Sequence, residues 1–141
     1  MRTPGQSKED KLKYLCLVYL DQEHWNACPD GECYEFASGL AQSGRLLAAE
    51  PLHPGDTATT VRVRNGQTSY YDGPFAETKE LLAGFYLIEA KDLNEALSVA
   101  AGIPPVKYGS IEVRPVRDLD VSNYRAFSAP HPSDREENQN V

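Results

Sequence analysis

The stretch "LAGFYLIEAKDLNEALSVAAGIPPVKYGSIEVRPV", residues 82–116, contains a complete strand–helix–strand unit. Residues 82–90 are almost continuously apolar, which is typical of a strand covered on both faces. Residues 92–104 have the apolar spacing of a helix, and residues 108–116 alternate between apolar and charged side chains, as in a half-buried strand. We therefore predict a β-α-β unit here and build the fold outward from it.

The helix of this unit has clear ends. Asp92 can cap its first turn, and Glu95 stands three residues later as a capping-box partner. Gly102 and Pro104 predict its end. Its apolar side is predicted to consist of four residues at helical spacing, namely Leu93, Ala96, Leu97 and Ala100.

A similar unit precedes it. The nearly continuous apolar run "KYLCLVYL", residues 13–20, predicts a central strand. Residues 32–44 predict a short amphipathic helix that ends at Gly44, and residues 45–52 predict a strand that Pro51 ends or places at an edge. A predicted hairpin with its turn at Asn65-Gly66 follows in residues 58–73, since Asn-Gly between alternating residues is the strongest short-range hairpin signal.

The order β-α-β-(hairpin)-β-α-β predicts an α+β fold of the ferredoxin-like, split β-α-β type, with an antiparallel sheet and both helices on one face. The apolar character of strands 13–20 and 82–90 implies that the other face is also covered. A second copy of the same sheet is the simplest cover, so we predict a homodimer of the dimeric α/β-barrel type, formed through the open sheet face.

The length of 141 residues suits one core, since single domains commonly close at roughly 100–150 residues. We predict a disordered segment over 1–12, the domain over 13–116, and an extended or disordered tail over 117–141, because both ends are polar and rich in turn formers. Residues 1–12 lack the apolar region of a secretory signal, so a cytoplasmic location is expected.

The composition argues against two classes of partner. The formal net charge is −7 and no cluster of Lys or Arg is visible, which removes the usual basis for binding a phosphate backbone, so no direct nucleic-acid contact is predicted. No apolar run approaches the ~20 residues of a membrane helix, so no membrane association is predicted.

The cysteines give little support for a disulfide framework or a metal site. Cys16, Cys28 and Cys33 are an odd number in a chain without an export signal. Cys28 and Cys33 are spaced loosely like half of a metal knuckle, but no second Cys/His pair follows. We predict ordinary thiols, no metal and no cofactor, since no Gly-rich phosphate loop is present either.

The segment "DGPFAETKE", residues 72–80, has more charge than a turn requires. Turn and capping chemistry explain Asp72 and the Gly-Pro that follows it. If the next residues form a helical turn, Glu77 and Glu80 lie on the same face and their negative charges repel each other. A nearby cation would relieve this repulsion, but Lys79 cannot easily pair with both.

Two interpretations of this charge remain open. In the first, an ion-pair network pins the segment to sheet arginines, for which Arg62, Arg64 and Arg114 are candidates. In the second, a polar pocket binds or acts on a small ligand, with four candidate catalytic residues, Asp72, Glu77, Lys79 and Glu80. The same arginines and His24, which lies beside Trp25 in a loop, are candidate ligand-binding residues, although a lone loop histidine is more often simply solvated.

Four strings carry a family resemblance: "TATTVRVRNG", "DGPFAETKE", "GFYLIEAKDLNEAL" and "GSIEVRPV". They resemble the DGPF-domain proteins, a branch of the YCII-related family, over residues 13–116. The resemblance implies a dimeric ferredoxin-like α/β fold, and some relatives occur beside sigma factors. YCII proteins proper carry a His in the first helix paired with an Asp; helix 32–44 has no His, and His24 precedes it, so this dyad is not transferred.

Two functions from different classes follow from these observations. The first is a small-molecule-binding domain, with catalysis left open, whose charged site surrounds the DGPFAETKE segment and whose ligand is unknown. The second is a non-enzymatic regulatory or protein-interaction module, which the resemblance links to transcription control through a sigma factor.

Overall fold

The computed structural model describes residues 11–76 and 78–123. Its α-helices and strands are β1 (Leu12–Asp21), α1 (Asp30–Gln42), β2 (Leu46–Pro51), β3 (Thr59–Arg64), β4 (Gln67–Asp72), β5 (Glu80–Ala90), α2 (Leu93–Ala101) and β6 (Ser110–Pro115). Most of the predicted N-terminal segment and C-terminal tail lies outside the described residues, and the boundaries 13–116 stay a prediction. None of the helices in this part of the chain is long and apolar enough to cross a membrane.

Four strands form one antiparallel sheet in the order β2-β5-β1-β6, and β3 pairs with β4 in a separate two-stranded sheet. Helix α1 leads from β1 to β2 past β5, and α2 leads from β5 to β6 past β1. This interleaving is that of two split β-α-β units. The predicted mixture of antiparallel sheet and two helices is confirmed, and its strand order is consistent with a ferredoxin-like fold; across the described residues the sheet is open and no barrel closes.

Both helices cover the same face of this sheet. Alternate residues of β1 and β5 are buried, because successive side chains of a strand point to opposite faces. They share one core with Leu40 of α1, three residues of α2 and Ile103. The buried strand residues are Tyr14, Cys16, Val18, Leu20, Tyr86, Ile88 and Ala90.

The cap of α2 was predicted correctly, but part of its buried side was not. Asp92 accepts a hydrogen bond from the backbone N–H of Glu95 at 2.9 Å. The buried residues of the helix are Ala96, Val99 and Ala100. Leu93 and Leu97 belong to the predicted apolar side of the helix but are 48% and 47% exposed. The side of the helix that carries the smaller residues faces the sheet.

The connection between β4 and β5 does not form the helical turn that was considered on the basis of its sequence. None of its described residues is helical, and β5 already begins at Glu80. Glu80 lies opposite Asp21 in the β1–β5 register, so strand pairing fixes this end of the segment. The hairpin before it turns at Asn65 and Gly66, whose φ angles of 54° and 77° are both positive, as a type I′ turn requires.

The second face of the sheet carries the remaining side chains of the central strands. Leu15, Leu17 and Tyr19 of β1 are only partly buried, and Leu15 and Leu17 lie opposite Leu87 and Phe85. Asp21 and its partner Glu80 continue the same face at the end of the strand pair, since the alternation places every second residue of β1 there. An apolar surface therefore leads directly to a pair of carboxylates.

Candidate functional site

The end of β1 brings a carboxylate and an imidazole together. Asp21 is the N-terminal cap of a short 3-10 turn, Gln22–His24, and its Oδ1 accepts a hydrogen bond from the backbone N–H of His24 at 2.9 Å. The same oxygen lies 2.7 Å from His24 Nδ1. One short turn thus caps itself and fixes the orientation of the ring.

Asp21 is held in its ionised form. The hydrogen bond from the His24 ring lowers the pKa of the Asp21 carboxyl most, followed by the bond from the His24 backbone N–H. The positive charge of Lys79 lowers this pKa further, whereas partial burial of the carboxyl raises it. Lys79 therefore acts on Asp21 electrostatically, although it is far from Asp21 in the sequence.

Two further contacts complete the surroundings of this pair. The His24 ring stacks on Tyr108, with ring centroids 6.1 Å apart and an interplanar angle of 20°. Ser110 Oγ donates a hydrogen bond to Glu80 Oε1 at 2.8 Å. Like charges directly opposite each other destabilise a strand pair, so the positive charge of Lys79 and this hydroxyl offset the repulsion between Asp21 and Glu80. We call Asp21, His24, Lys79, Glu80 and Ser110 the Asp21 cluster.

Three of the predicted site residues thus belong to one cluster, namely His24, Lys79 and Glu80. Asp72 lies exposed at the end of β4. Glu77 lies outside the described residues.

The predicted arginine partners contact groups other than the acids of the segment. The guanidinium of Arg62 lies 6.0 Å from the centre of the Phe75 ring. Arg64 donates to the backbone carbonyl of the adjacent Val63 at 2.9 Å, and Arg114 pairs with Glu112 at 2.6 Å. Within residues 11–76 and 78–123, no salt bridge joins these arginines to the acids of the predicted segment.

Sequence reasoning missed Asp21 and Ser110. The signal for Asp21 was present in "DQEH", residues 21–24, because an Asp three residues before a His at the end of a strand is the pattern of a capped turn. For Ser110 there was no local signal, since its contact with Glu80 spans 30 residues and depends on the order of the strands.

A cavity of about 670 Å³ lies between α1, β2 and β5. Trp25 and Tyr34 contribute aromatic surface to its wall, and His53, Cys28 and Cys33 contribute polar or reactive groups. Trp25 follows His24 in the chain, so the cavity wall and the Asp21 cluster share one connecting segment. The size of the cavity is within the range that small organic ligands occupy.

Two members of the Asp21 cluster form a group of potential metal ligands together with Glu23. One ligand atom each from Asp21, Glu23 and His24 lies within 4.8 Å of the others. Exposed acidic groups often adopt such spacing without an ion, and nothing else in the described part of the chain completes a coordination shell. The prediction of no metal stays a prediction.

Comparison with known proteins agrees with this architecture. The model of the YCII-related domain matches residues 12–120, which span all the strands and helices described above. An uncharacterised protein of Rhizobium meliloti (strain 1021) is 46% identical over 114 residues, covering 74% of this chain and 92% of the relative. The chain therefore belongs to the family of YCII-related domain proteins.

Proposed function

We propose that this protein binds a small organic molecule at the Asp21 cluster and removes a proton from it. The observation that carries the proposal is the pair of contacts at Asp21 Oδ1. This oxygen accepts a hydrogen bond from the backbone N–H of His24 and lies within hydrogen-bond distance of Nδ1 of the His24 ring, so the orientation of the ring is fixed. A histidine oriented by a carboxylate is the usual arrangement of a general base.

The chemistry follows from which ring nitrogen is engaged. Because the Asp21 carboxylate accepts a hydrogen bond from Nδ1, a neutral His24 ring has Nε2 as its free acceptor. The His24 side chain is 43% exposed, so a ligand can reach Nε2. Lys79 can stabilise the negative charge that develops when a proton leaves a carbon next to a carbonyl group. The reaction class is therefore proton abstraction from a small carbonyl compound.

A direct test is hydrogen–deuterium exchange at C3 of small 2-oxo acids, the carbon next to the keto group, followed by NMR in D₂O. The wild-type protein should accelerate exchange, and His24→Gln should abolish the acceleration because the base is lost. Asp21→Asn should reduce it by about 10²-fold or more, the range that general-base catalysis contributes. Arg62→Gln, on the separate hairpin, is the matched control and should behave as wild type. Equal exchange with wild type and His24→Gln would contradict the proposal.

The same proposal includes a homodimer formed through the open sheet face. The partly exposed Leu15, Leu17 and Phe85 support it, because a second sheet would remove this apolar surface from water. The second sheet would also form one wall of a site at the Asp21 cluster, because Asp21 and Glu80 lie on the same face of the sheet as these apolar residues. Leu17→Lys should convert the dimer to a monomer in analytical ultracentrifugation, whereas a wild-type monomer would refute this part.

One observation favours a second candidate function, a protein-interaction module. The β3–β4 hairpin exposes large apolar side chains, including Val61 at 58%, Tyr70 at 71% and, just beyond it, Phe75 at 72%. Exposed apolar patches often mark protein–protein contacts. If this function holds, a partner should co-purify with the wild-type chain and be lost from a Val61→Ser/Tyr70→Ser variant; the sigma factor implied by the resemblance is one partner to look for. Absence of any such partner would count against this candidate.

A further inference from the structure

Cys28 and Cys33 lie close together at the start of α1. Their Sγ atoms are 3.6 Å apart, and both side chains are partly buried. Cys28 belongs to the connection before the helix and Cys33 to its first turns, with Pro29 as the extended N-cap residue between them. The third thiol, Cys16, is completely buried in the core under the helices. The odd cysteine count is thus one isolated thiol and one adjacent pair.

From this arrangement we propose that Cys28 and Cys33 are a modification site that forms a reversible intramolecular disulfide. A disulfide needs a sulfur–sulfur distance of about 2.05 Å. The remaining separation can close by side-chain rotation together with a small movement of the connection before α1. Because this site lies outside the Asp21 cluster, the inference does not depend on the proposed function.

The step is a thiol–disulfide exchange with a small disulfide such as oxidised glutathione as the oxidant. The Cys33 thiolate attacks one sulfur of the small disulfide, whose S–S bond breaks and releases one thiolate that takes up a proton. The Cys28 thiol then loses its proton and attacks the Cys33 sulfur of the mixed disulfide, which releases the second small thiol. Two protein thiols are oxidised and one small disulfide is reduced.

The order of attack follows from the surroundings of Cys28. Burial raises the pKa of the Cys28 thiol to about 12, and the neighbouring Cys33 and Glu32 add to the effect. Cys28 Sγ also lies 3.4 Å from Glu32 Oε2. A thiol whose proton is directed at a neighbouring carboxylate is a poor first nucleophile, so we expect Cys33 to attack first and Cys28 to resolve the mixed disulfide. Once Cys33 is in a mixed disulfide it carries no negative charge, which removes one cause of the raised pKa.

Both cysteines line the 670 Å³ cavity. A disulfide between them would tie the connection that follows Trp25 to the first turns of α1. The shape of this wall would then depend on the redox state of the pair. The ligands that the cavity admits would differ between the reduced and oxidised protein.

The test is equilibration of the full chain with oxidised glutathione, followed by mass spectrometry of the intact protein and of its peptides. Wild type should lose two hydrogen atoms and contain a Cys28–Cys33 cross-link, because two thiols in one short segment have an effective concentration of about mM or more. Reduced glutathione should reverse the change. Cys28→Ser should instead retain one glutathione on Cys33, and Cys33→Ser should react more slowly.

Cys16→Ala is the matched control, since Cys16 is buried away from the pair, and it should form the same cross-link. Alkylation of the wild-type protein by iodoacetamide before and after oxidation checks the same result independently: oxidation should protect both residues together. Two glutathiones on the wild-type protein, no reaction, or only cross-links between two chains would overturn the inference. None of these readouts depends on proton exchange at the Asp21 cluster.

Discussion

At the scale of single residues, one oxygen atom of Asp21 has both a structural role and a role in the candidate site. Its Oδ1 caps the turn Gln22–His24 and orients the His24 ring. The capping role is local and follows from the sequence, because Asp favours the N-cap position. The contacts of Glu80 with Asp21 and Ser110 are not local: they require β1 to lie between β5 and β6, and no residue pattern near any of the three indicates that order.

The lowered pKa of Asp21 makes a prediction about acid stability. A carboxyl whose pKa is lower in the folded than in the unfolded chain stabilises the fold above its unfolded pKa, which is about 3.9. This contribution is lost as the pH falls through the folded value. Urea unfolding of wild type and Asp21→Asn should therefore differ at neutral pH and converge below about pH 4. Parallel curves over the whole range would contradict the prediction.

Gly109 shows how closely the backbone packs beside the site. A Cβ atom at this position would collide with the Tyr19 carbonyl oxygen and approach Leu20 Cδ2 to 2.9 Å. Gly109→Ala should therefore lower the free energy of unfolding by about 1–3 kcal/mol, as overpacking does. Gly31→Ala in α1 is the control, since nothing lies within 4 Å of its added Cβ, and it should not destabilise. Urea unfolding measures both; a neutral Gly109→Ala would be a contradiction.

At the scale of elements, strands and helices could be predicted from the periodicity of apolar residues. The side of a helix that faces the sheet depends on packing and was predicted incorrectly in part. Strand β1 and helix α2 were indicated by their apolar patterns because burial depends on spacing along the chain. The exposure of Leu93 and Leu97 could not be read in this way, since both fit a helical spacing that includes Ala96 and Ala100. The sheet instead selects the side of the helix that also contains Val99.

The capping of α2 gives a prediction at this scale. Asp92 accepts from the backbone N–H of Glu95, and Glu95 Oε1 accepts from the backbone N–H of Lys91 at 3.3 Å. Asp92→Ala should reduce the free energy of unfolding by about 1 kcal/mol. Asp30→Ala removes an acid from the first turn of α1, where no side chain makes a capping bond, and should have a smaller effect. If the two variants lower the free energy of unfolding equally in urea, the capping hydrogen bond of Asp92 contributes nothing beyond the negative charge of its side chain.

At the scale of the whole molecule, the sheet determines where the site can be. The strand order places the end of β1 beside the starts of β5 and β6, and the open apolar face runs up to the Asp21 cluster. The class of fold could be predicted from the order of elements. The apolar character of the second face of the sheet could be predicted from the nearly continuous apolar runs of the central strands. The position of the charged site could not, because "DGPFAETKE" divides between the hairpin end and the sheet, and among its described residues only Lys79 and Glu80 belong to the Asp21 cluster.

The central claim is that Asp21 fixes the tautomer of His24 so that Nε2 is the free base. The most direct measurement is NMR of the chain labelled with ¹⁵N at histidine, at a pH where the ring is neutral, with His24→Gln used to assign the signal. We predict a proton on Nδ1 and none on Nε2 in wild type, and loss of this preference in Asp21→Asn. His53, which has no such partner among the described residues, is the internal control. A proton on Nε2 in the wild-type protein would contradict the account.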